Sequence, residues 1–166
     1  VTADNAPNDF VYPQMADFTF YGGIYRDVTV IGVPKAHFDL DYYGAPGVMV
    51  TPKINGADAE VEMHAFADGE VEFEIFDGEN VISSTIAQGK NPTSSITIKN
   101  VHLWNGTKDP FLYTLTARLL VNGETVDEIK TRFGCRSYEI NPQKGFILNG
   151  QEYPLRGVSR HQDRPD

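Results

Sequence analysis

The chain has 166 residues, of which 40% are hydrophobic and 22% are charged, a composition typical of a soluble globular protein with a sizeable core. Its formal net charge of −9 argues against nucleic acid or an anionic membrane surface as partner, because both require clustered Lys and Arg. A single cysteine excludes an internal disulfide, and no apolar run reaches the ~18 residues that a membrane-spanning helix needs.

The first predicted element is an aromatic-rich segment near the N-terminus. Residues 17–31 have the pattern of a strand, a turn at Gly22-Gly23 and a second strand. A piece of this size cannot bury its aromatic side chains by itself, so we expect it to need a partner sheet. Residues 1–34 are therefore predicted to be the C-terminal end of a neighbouring β-domain.

Four later segments alternate apolar and polar residues with a period of two. This period is typical of antiparallel sheets that have one buried face and one exposed face. The apolar positions in chain order are Val61, Met63 and Ala65; Val71, Phe73 and Ile75; Ile96 and Ile98; and Tyr113, Leu115, Ala117, Leu119 and Val121.

Turn signals separate these segments, at Asn55-Gly56, Asp68-Gly69, Asp77-Gly78 and Asn122-Gly123. Asn122-Gly123 is the strongest hairpin signal, because apolar runs flank it on both sides. No segment has a convincing helical pattern. Seven or more short strands in about 105 residues predict an all-β fold, an immunoglobulin-like antiparallel β-sandwich with short flanking segments from neighbouring domains. We place the sandwich at residues 35–139.

The last element is a strand that leads into the polar cluster Arg160-His161-Gln162-Asp163. Polar residues just past the C-terminal end of a strand build the active site in barrel enzymes. Composition alone favours the simpler interpretation, a solvated polar tail. We predict that residues 140–166 are the truncated start of a third domain.

Other candidate groups have structural interpretations. Trp104 is suited to stacking on a sugar ring, but its neighbours favour a loop pinned into the sandwich core. Cys135 lies in an apparent strand, so we expect a buried thiol and not a nucleophile. Glu72 and Glu74 are expected to face outward as surface charge and not to form a catalytic pair. The histidines lack the spacing of a zinc site.

Three separated motifs, in order, resemble glycoside hydrolase family 2, and the likeness is to its bacterial β-galactosidases. Residues 17–28 resemble the last strands of the family's N-terminal sugar-binding jelly roll. Residues 103–113 and 133–136 resemble its immunoglobulin-like domain. Residues 146–161 resemble the start of its catalytic (β/α)₈ barrel. The resemblance covers essentially the whole chain.

The resemblance assigns roles to residues that composition leaves undecided. Asp17 matches an aspartate that the jelly roll sends into the active site, near the sugar and, in galactosidases, a monovalent cation. His161 matches the histidine that reaches the sugar from the start of the barrel. Arg160 and Asp163 are expected to support these contacts. Ser159 stands where the family usually has Asn, so the hydrogen bonds of that Asn are not carried over. The two catalytic glutamates of the family are expected beyond the last residue.

The resemblance therefore implies a non-catalytic, inactive fragment of a retaining β-galactosidase, in which the sandwich sets the sugar-binding domain against the barrel. Two alternatives stay open: a carbohydrate-binding or cell-surface adhesion module, and a β-glucuronidase or β-mannosidase of the same family. A β-galactoside is the expected substrate of the whole enzyme, which is expected to be a homo-oligomer. Mg²⁺ and Na⁺ are its candidate cofactors, and none is assigned to this chain by itself.

Overall fold

A computed structural model of the chain describes residues 6, 23–24, 27–41 and 45–159. Every helix or strand within these ranges is a β-strand, so the predicted all-β class is confirmed. The chain divides into two units, one of Gly32–Pro154 and one of Val1–Ile31 with Leu155–Asp166. Among the described residues, no helix has the length and apolar character needed to cross a membrane.

Ten strands form the regular structure of the described residues. They are β1 (Val48–Asn55), β2 (Asp58–Ala65), β3 (Asp68–Asp77), β4 (Asn80–Lys90), β5 (Thr93–Ile98), β6 (Tyr113–Val121), β7 (Glu124–Phe133), β8 (Tyr138–Asn141), β9 (Gly145–Leu148) and β10 (Gln151–Glu152).

The first seven strands form a two-sheet sandwich. One sheet has the order β1-β2-β5 and the other has the order β4-β3-β6-β7, with antiparallel pairing throughout. The chain alternates between the two sheets. The β1–β2 hairpin lies in the first sheet, the β3–β4 hairpin in the second, β5 in the first again, and the β6–β7 hairpin in the second. This arrangement is the predicted immunoglobulin-like sandwich, in which β1, β4, β5 and β7 are the edge strands.

The core of the sandwich is built from the alternating positions that the sequence indicates. Inward side chains of β2, β3 and β6 are fully buried, and the largest include Met63, Phe73 and Leu115, each at 0% exposure. Burying such a side chain contributes about 1.5–3 kcal/mol, so this face supplies most of the favourable free energy of folding. Outward neighbours on β2 and β3 stay partly or fully exposed, whereas Thr116 on β6 is buried.

Two local predictions differ from the structure. Val121 was assigned to the buried face, but it is 42% exposed at the end of β6, beyond a register shift between Leu119 and Leu120. Asp68-Gly69 was assigned to a turn, but it begins β3, because its pairing with Lys90 and Gly89 of β4 extends past the glycine. The Asn122-Gly123 hairpin is confirmed, with φ of 53° and 81° at its two loop residues.

A charge network covers the outer face of the four-stranded sheet. Arg118 on β6 donates to Glu72 at 3.0 Å, to Glu128 at 2.8 Å and to Glu74. The network raises the pKa of Arg118 above its ordinary value, chiefly through the hydrogen bond to Glu74. Glu72 and Glu74 therefore serve as ion-pair partners on the sheet surface, as the sequence interpretation expected.

A second, smaller sheet follows the sandwich within the unit Gly32–Pro154. Its order is β10-β9-β8, with β9 between the other two strands. The predicted domain boundary at residue 139 falls within β8, and the assignment to residues 1–34, 35–139 and 140–166 stays a prediction. In the other unit, the described residues 27–31 and 155–159 contain no strand, so the strand predicted up to Ile31 does not include its last five positions.

Candidate functional site

The residues that the family resemblance assigns to a sugar site cannot be placed. Asp17, Arg160, His161 and Asp163 all lie outside the described residues, so their roles stay predictions. The described chain ends at Ser159, and residues 155–159 are exposed. The described segment that precedes the last three of these residues in the chain runs from β8 to Tyr153.

Asn149 joins this segment to the sandwich. Its Oδ1 accepts a hydrogen bond from the backbone N–H of Ser137 at 2.9 Å. Its Nδ2 donates to the carbonyl oxygen of Trp104 at 3.0 Å and to Oδ1 of Asn105 at 2.7 Å. The backbone N–H of Asn149 donates to the Ser137 carbonyl oxygen at 2.9 Å. One side chain thus ties the β9–β10 turn to the linker before β8 and to the loop between β5 and β6.

The left-handed backbone of Asn149 makes this geometry possible. Its φ is 50°, a conformation that Asn and Gly adopt more readily than other residues. Glycine at this position would keep the turn but would lose all three side-chain hydrogen bonds. The sequence motif Asn149-Gly150 predicts a turn, and the partners of the side chain, 44 and 45 residues earlier in the chain, are visible only in the structure.

Tyr153 makes a second contact with the same loop. Its hydroxyl oxygen accepts from the backbone N–H of Thr107 at 3.3 Å and lies 3.4 Å from the Thr107 hydroxyl. The hydrogen bonds from Thr107 lower the pKa of Tyr153. A Cβ at Gly106, where φ is 65°, would clash with the Tyr153 hydroxyl, so a side chain there would prevent the contact. Asn149 and Tyr153 together fix the small sheet on the sandwich, and we call these two residues the clamp.

Trp104 lies at the surface of the sandwich and not in its core. Its backbone N–H donates to the Cys135 carbonyl oxygen at 2.8 Å, while Leu103, beside it, packs on the core. The indole is partly exposed, and the guanidinium carbon of Arg136 lies 5.0 Å from its ring centroid. The loop that carries Trp104 is attached to the sandwich, as predicted, by its backbone hydrogen bond and by Leu103. The indole itself does not contribute to this attachment, because it lies against the Arg136 cation.

Gly134 permits this close approach. A Cβ at this position would lie 2.9 Å from Cβ and 3.1 Å from Cγ of Trp104, and 3.2 Å from Leu112. The 2.9 Å distance is shorter than real Cβ contacts, and the other two are tighter than most, so a side chain at this position would displace its neighbours. The Phe-Gly-Cys-Arg motif therefore contains a glycine for steric reasons, which its sequence context alone does not reveal.

Cys135 is a buried thiol, as the sequence predicted. Its exposure is 0%, and burial raises its pKa to about 11. At neutral pH it is protonated, so it is a poor nucleophile and a poor metal ligand. Within the described ranges, no group of three or more His, Cys, Asp or Glu residues is arranged to hold a metal ion.

A groove of about 430 Å³ opens at the edge of the sandwich between β1 and β7. Its lining is Val50, Pro52, Leu112, Arg132, Phe133, Gly134, Arg136 and Tyr138. Both strands pair on one side only, so the groove lies between two edge strands. The sequence alone does not mark Arg132 as a site residue. Its place beside Arg136 in one groove is visible only in the structure.

A family model matches the part of the sequence that forms the sandwich. The model described as glycosyl hydrolases family 2 matches residues 46–136, which is more than half of the chain and contains all seven strands of the sandwich.

The chain belongs to glycosyl hydrolases family 2.

Relatives within this family carry two kinds of name. A β-glucuronidase from Bacteroides fragilis is 35% identical, over 100% of this chain and 26% of its own length. A β-galactosidase large subunit from Lactobacillus acidophilus is 31% identical, over 88% of this chain and 24% of its own length. The chain thus spans about a quarter of the curated family 2 relatives that it matches.

A solved structure agrees with the fold. The crystal structure of an FMN-binding β-glucuronidase from Faecalibacterium prausnitzii L2-6 superposes with a TM-score of 0.83 at 44% identity. The match covers 96% of this chain and 26% of that protein.

Proposed function

We propose that this chain is the sandwich part of a retaining β-glucuronidase of family 2. The observation that carries the proposal is the order of identities, 44% and 35% to two β-glucuronidases against 31% to a β-galactosidase, each over most of this chain. The sugar is then a glucuronide, and the β-galactoside implied by the sequence resemblance becomes the second candidate.

In this proposal the chain contributes positioning and not bond cleavage. Retaining glycosidases use two carboxylates about 5–5.5 Å apart, and we propose that both are outside this chain. Asp17 and His161 are proposed to contact the sugar, with Arg160 and Asp163 supporting them. Mg²⁺ and Na⁺ for the whole enzyme, a cation near Asp17 and a homo-oligomeric assembly are likewise proposals.

The clamp supports the positioning role. Asn149 and Tyr153 attach the segment before residues 155–161 to a sandwich with a continuous buried core. A displacement of about 1 Å at a reacting group can lower the rate roughly 100-fold. A rigid spacer that keeps the two neighbouring domains in register therefore supports the reaction rate. The sandwich and the small sheet are proposed to act as that spacer between the sugar-binding domain and the barrel.

The β-galactosidase candidate rests on the 31% identity to the Lactobacillus acidophilus protein. A carbohydrate-binding or adhesion module, the remaining alternative, would bind sugar as an isolated chain and would hydrolyse none. The relatives named in the family matches are hydrolases, which favours the enzyme over the module.

Hydrolysis of 4-nitrophenyl β-D-glucuronide by the protein encoded by the whole gene tests the proposal. We expect turnover with retention, so the first sugar product seen by proton NMR is the β-anomer of glucuronic acid. A His161→Ala variant is expected to lose at least ~100-fold in kcat/KM, while Lys90→Ala, on a sandwich edge strand, keeps wild-type activity. If the α-anomer appears first, the enzyme does not retain configuration and the proposed mechanism is wrong. If His161→Ala keeps the wild-type kcat/KM, His161 is not part of the sugar site.

A further inference from the structure

The groove between β1 and β7 has the size of a small-molecule site. Its volume of about 430 Å³ falls within the usual ligand range of roughly 300–1,000 Å³. Val50, Pro52 and Leu112 give it an apolar surface on which a ring can pack, while Phe133, at 8% exposure, belongs to the sandwich core. The lining residues that the structure describes all belong to the unit Gly32–Pro154.

Two arginines give the groove positive charge. Among the described residues, the carboxylates that form ion pairs are taken by other cations, such as Glu128 by Arg118 and Lys130, and Asp58 by Lys99. Neither Arg132 nor Arg136 has a carboxylate within ion-pair distance in the part of the chain that the structure describes. A chain of net charge −9 thus keeps two arginine side chains available at one groove.

One of the arginines is held in place before any ligand binds. The Arg136 guanidinium lies over the Trp104 ring, which is fixed by the backbone hydrogen bond to Cys135 and by the steric fit at Gly134. A guanidinium stacked on a ring keeps its N–H edges free for a carboxylate, which it can bind in bidentate fashion. Less side-chain entropy is lost on binding when the cation is already ordered.

We propose that this groove binds an organic anion that carries a carboxylate on or near a flat apolar body. The carboxylate is bound by Arg132 and Arg136, and the apolar body packs on Val50, Pro52 and Leu112. Tyr138, which is 67% exposed at the groove, borders the site from β8.

Titration of the 166-residue chain with three probes, followed by amide chemical shifts in NMR spectra, tests the proposal. The probes are 4-nitrophenyl β-D-glucuronide, its neutral twin 4-nitrophenyl β-D-glucoside, and sodium glucuronate. We expect the aryl glucuronide to bind about tenfold more tightly than either other probe, because only it offers both the carboxylate and the ring. The shifted amides should belong to β7, to residues 134–138 and to β1.

Variants assign the binding to the arginines. Arg136→Ala and Arg132→Ala are each expected to weaken binding of the aryl glucuronide about tenfold. Arg136→Lys keeps the charge but loses the bidentate geometry, so we expect an intermediate loss. Lys90→Ala removes the same charge away from the groove and should leave the affinity unchanged.

Three results would overturn the proposal. Equal affinity for the glucuronide and its neutral twin would remove the role of the arginines. Equal affinity for glucuronate alone would remove the role of the apolar surface. Shifts confined to residues outside the groove, or no saturable shift with any probe, would show that the groove is not a binding site.

Discussion

Replacing Asn149 with glycine isolates the contribution of the clamp to stability. Glycine keeps the left-handed backbone, so the change removes only the bonds to Ser137, Trp104 and Asn105. Each intramolecular hydrogen bond contributes roughly 0.5–1.5 kcal/mol net, and glycine adds up to ~1 kcal/mol of unfolded-chain entropy. We therefore expect Asn149→Gly to lower the free energy of unfolding by about 2–4 kcal/mol.

Asn91 provides a matched control for that experiment. It is an exposed asparagine with φ of 49° whose side chain makes none of the hydrogen bonds found among the described residues. Asn91→Gly therefore carries only the backbone cost, about 1 kcal/mol or less. Asn149→Ala should be less stable than Asn149→Gly, because alanine also pays about 1–2 kcal/mol for the left-handed conformation.

Urea unfolding of the 166-residue chain gives these free energies. The chain has one tryptophan, so the fluorescence of Trp104 reports directly on the loop that the clamp contacts, while circular dichroism reports on the sandwich. We expect both signals to report the destabilisation of Asn149→Gly. If Asn149→Gly and Asn91→Gly lose stability equally, within ~0.5 kcal/mol, the three side-chain bonds do not stabilise the fold and the clamp argument fails.

Three further predictions concern packing, reactivity and pH. Gly134→Ala should lower the free energy of unfolding in urea by about 1–3 kcal/mol, because the added Cβ clashes with Trp104. Gly32→Ala is the control, because the space around Gly32 is open and its stability should change little. Equal losses for the two variants would show that the clash at Gly134 does not occur. Cys135, whose pKa burial raises to about 11, should resist iodoacetamide at pH 8 in the folded chain and react rapidly in urea, so fast labelling without urea would refute its burial. A hydrogen bond from Lys130 lowers the pKa of Glu128, so this pair stabilises the fold above the ordinary carboxyl pKa of about 4.3. The stabilisation is lost as the pH falls through the lowered pKa. The difference in unfolding free energy between wild type and Glu128→Gln should therefore shrink from pH 7 to pH 3, and a constant difference would exclude this linkage.

The sequence predicts the sandwich well because the information is local. Alternation with a period of two determines which face of each strand is buried, and Val61, Val71 and Leu115 are all at 0% exposure as expected. Prediction fails where tertiary pairing extends or ends a strand. Gly69 belongs to β3 because β4 pairs across it, and Val121 leaves the buried face after a shift in register.

The candidate sites are less accessible to sequence reasoning because they depend on contacts between distant residues. Asn149 has the signature of an ordinary turn, while its partners lie more than 40 residues away in another loop. The apolar neighbours of Trp104 predict a place in the core, but the residue is partly exposed and its ring lies against the Arg136 guanidinium. Gly134 is required by a side chain 30 positions earlier, which no local pattern encodes.

We propose that this chain is part of a β-glucuronidase of family 2. The most direct test is the ratio of kcat/KM for 4-nitrophenyl β-D-glucuronide to that for 4-nitrophenyl β-D-galactoside, measured with the protein encoded by the whole gene. We predict a ratio of at least ~100, because a site built to pair with a carboxylate is left with unpaired polar groups when the substrate lacks it. A ratio below one would contradict the claim and favour the β-galactosidase.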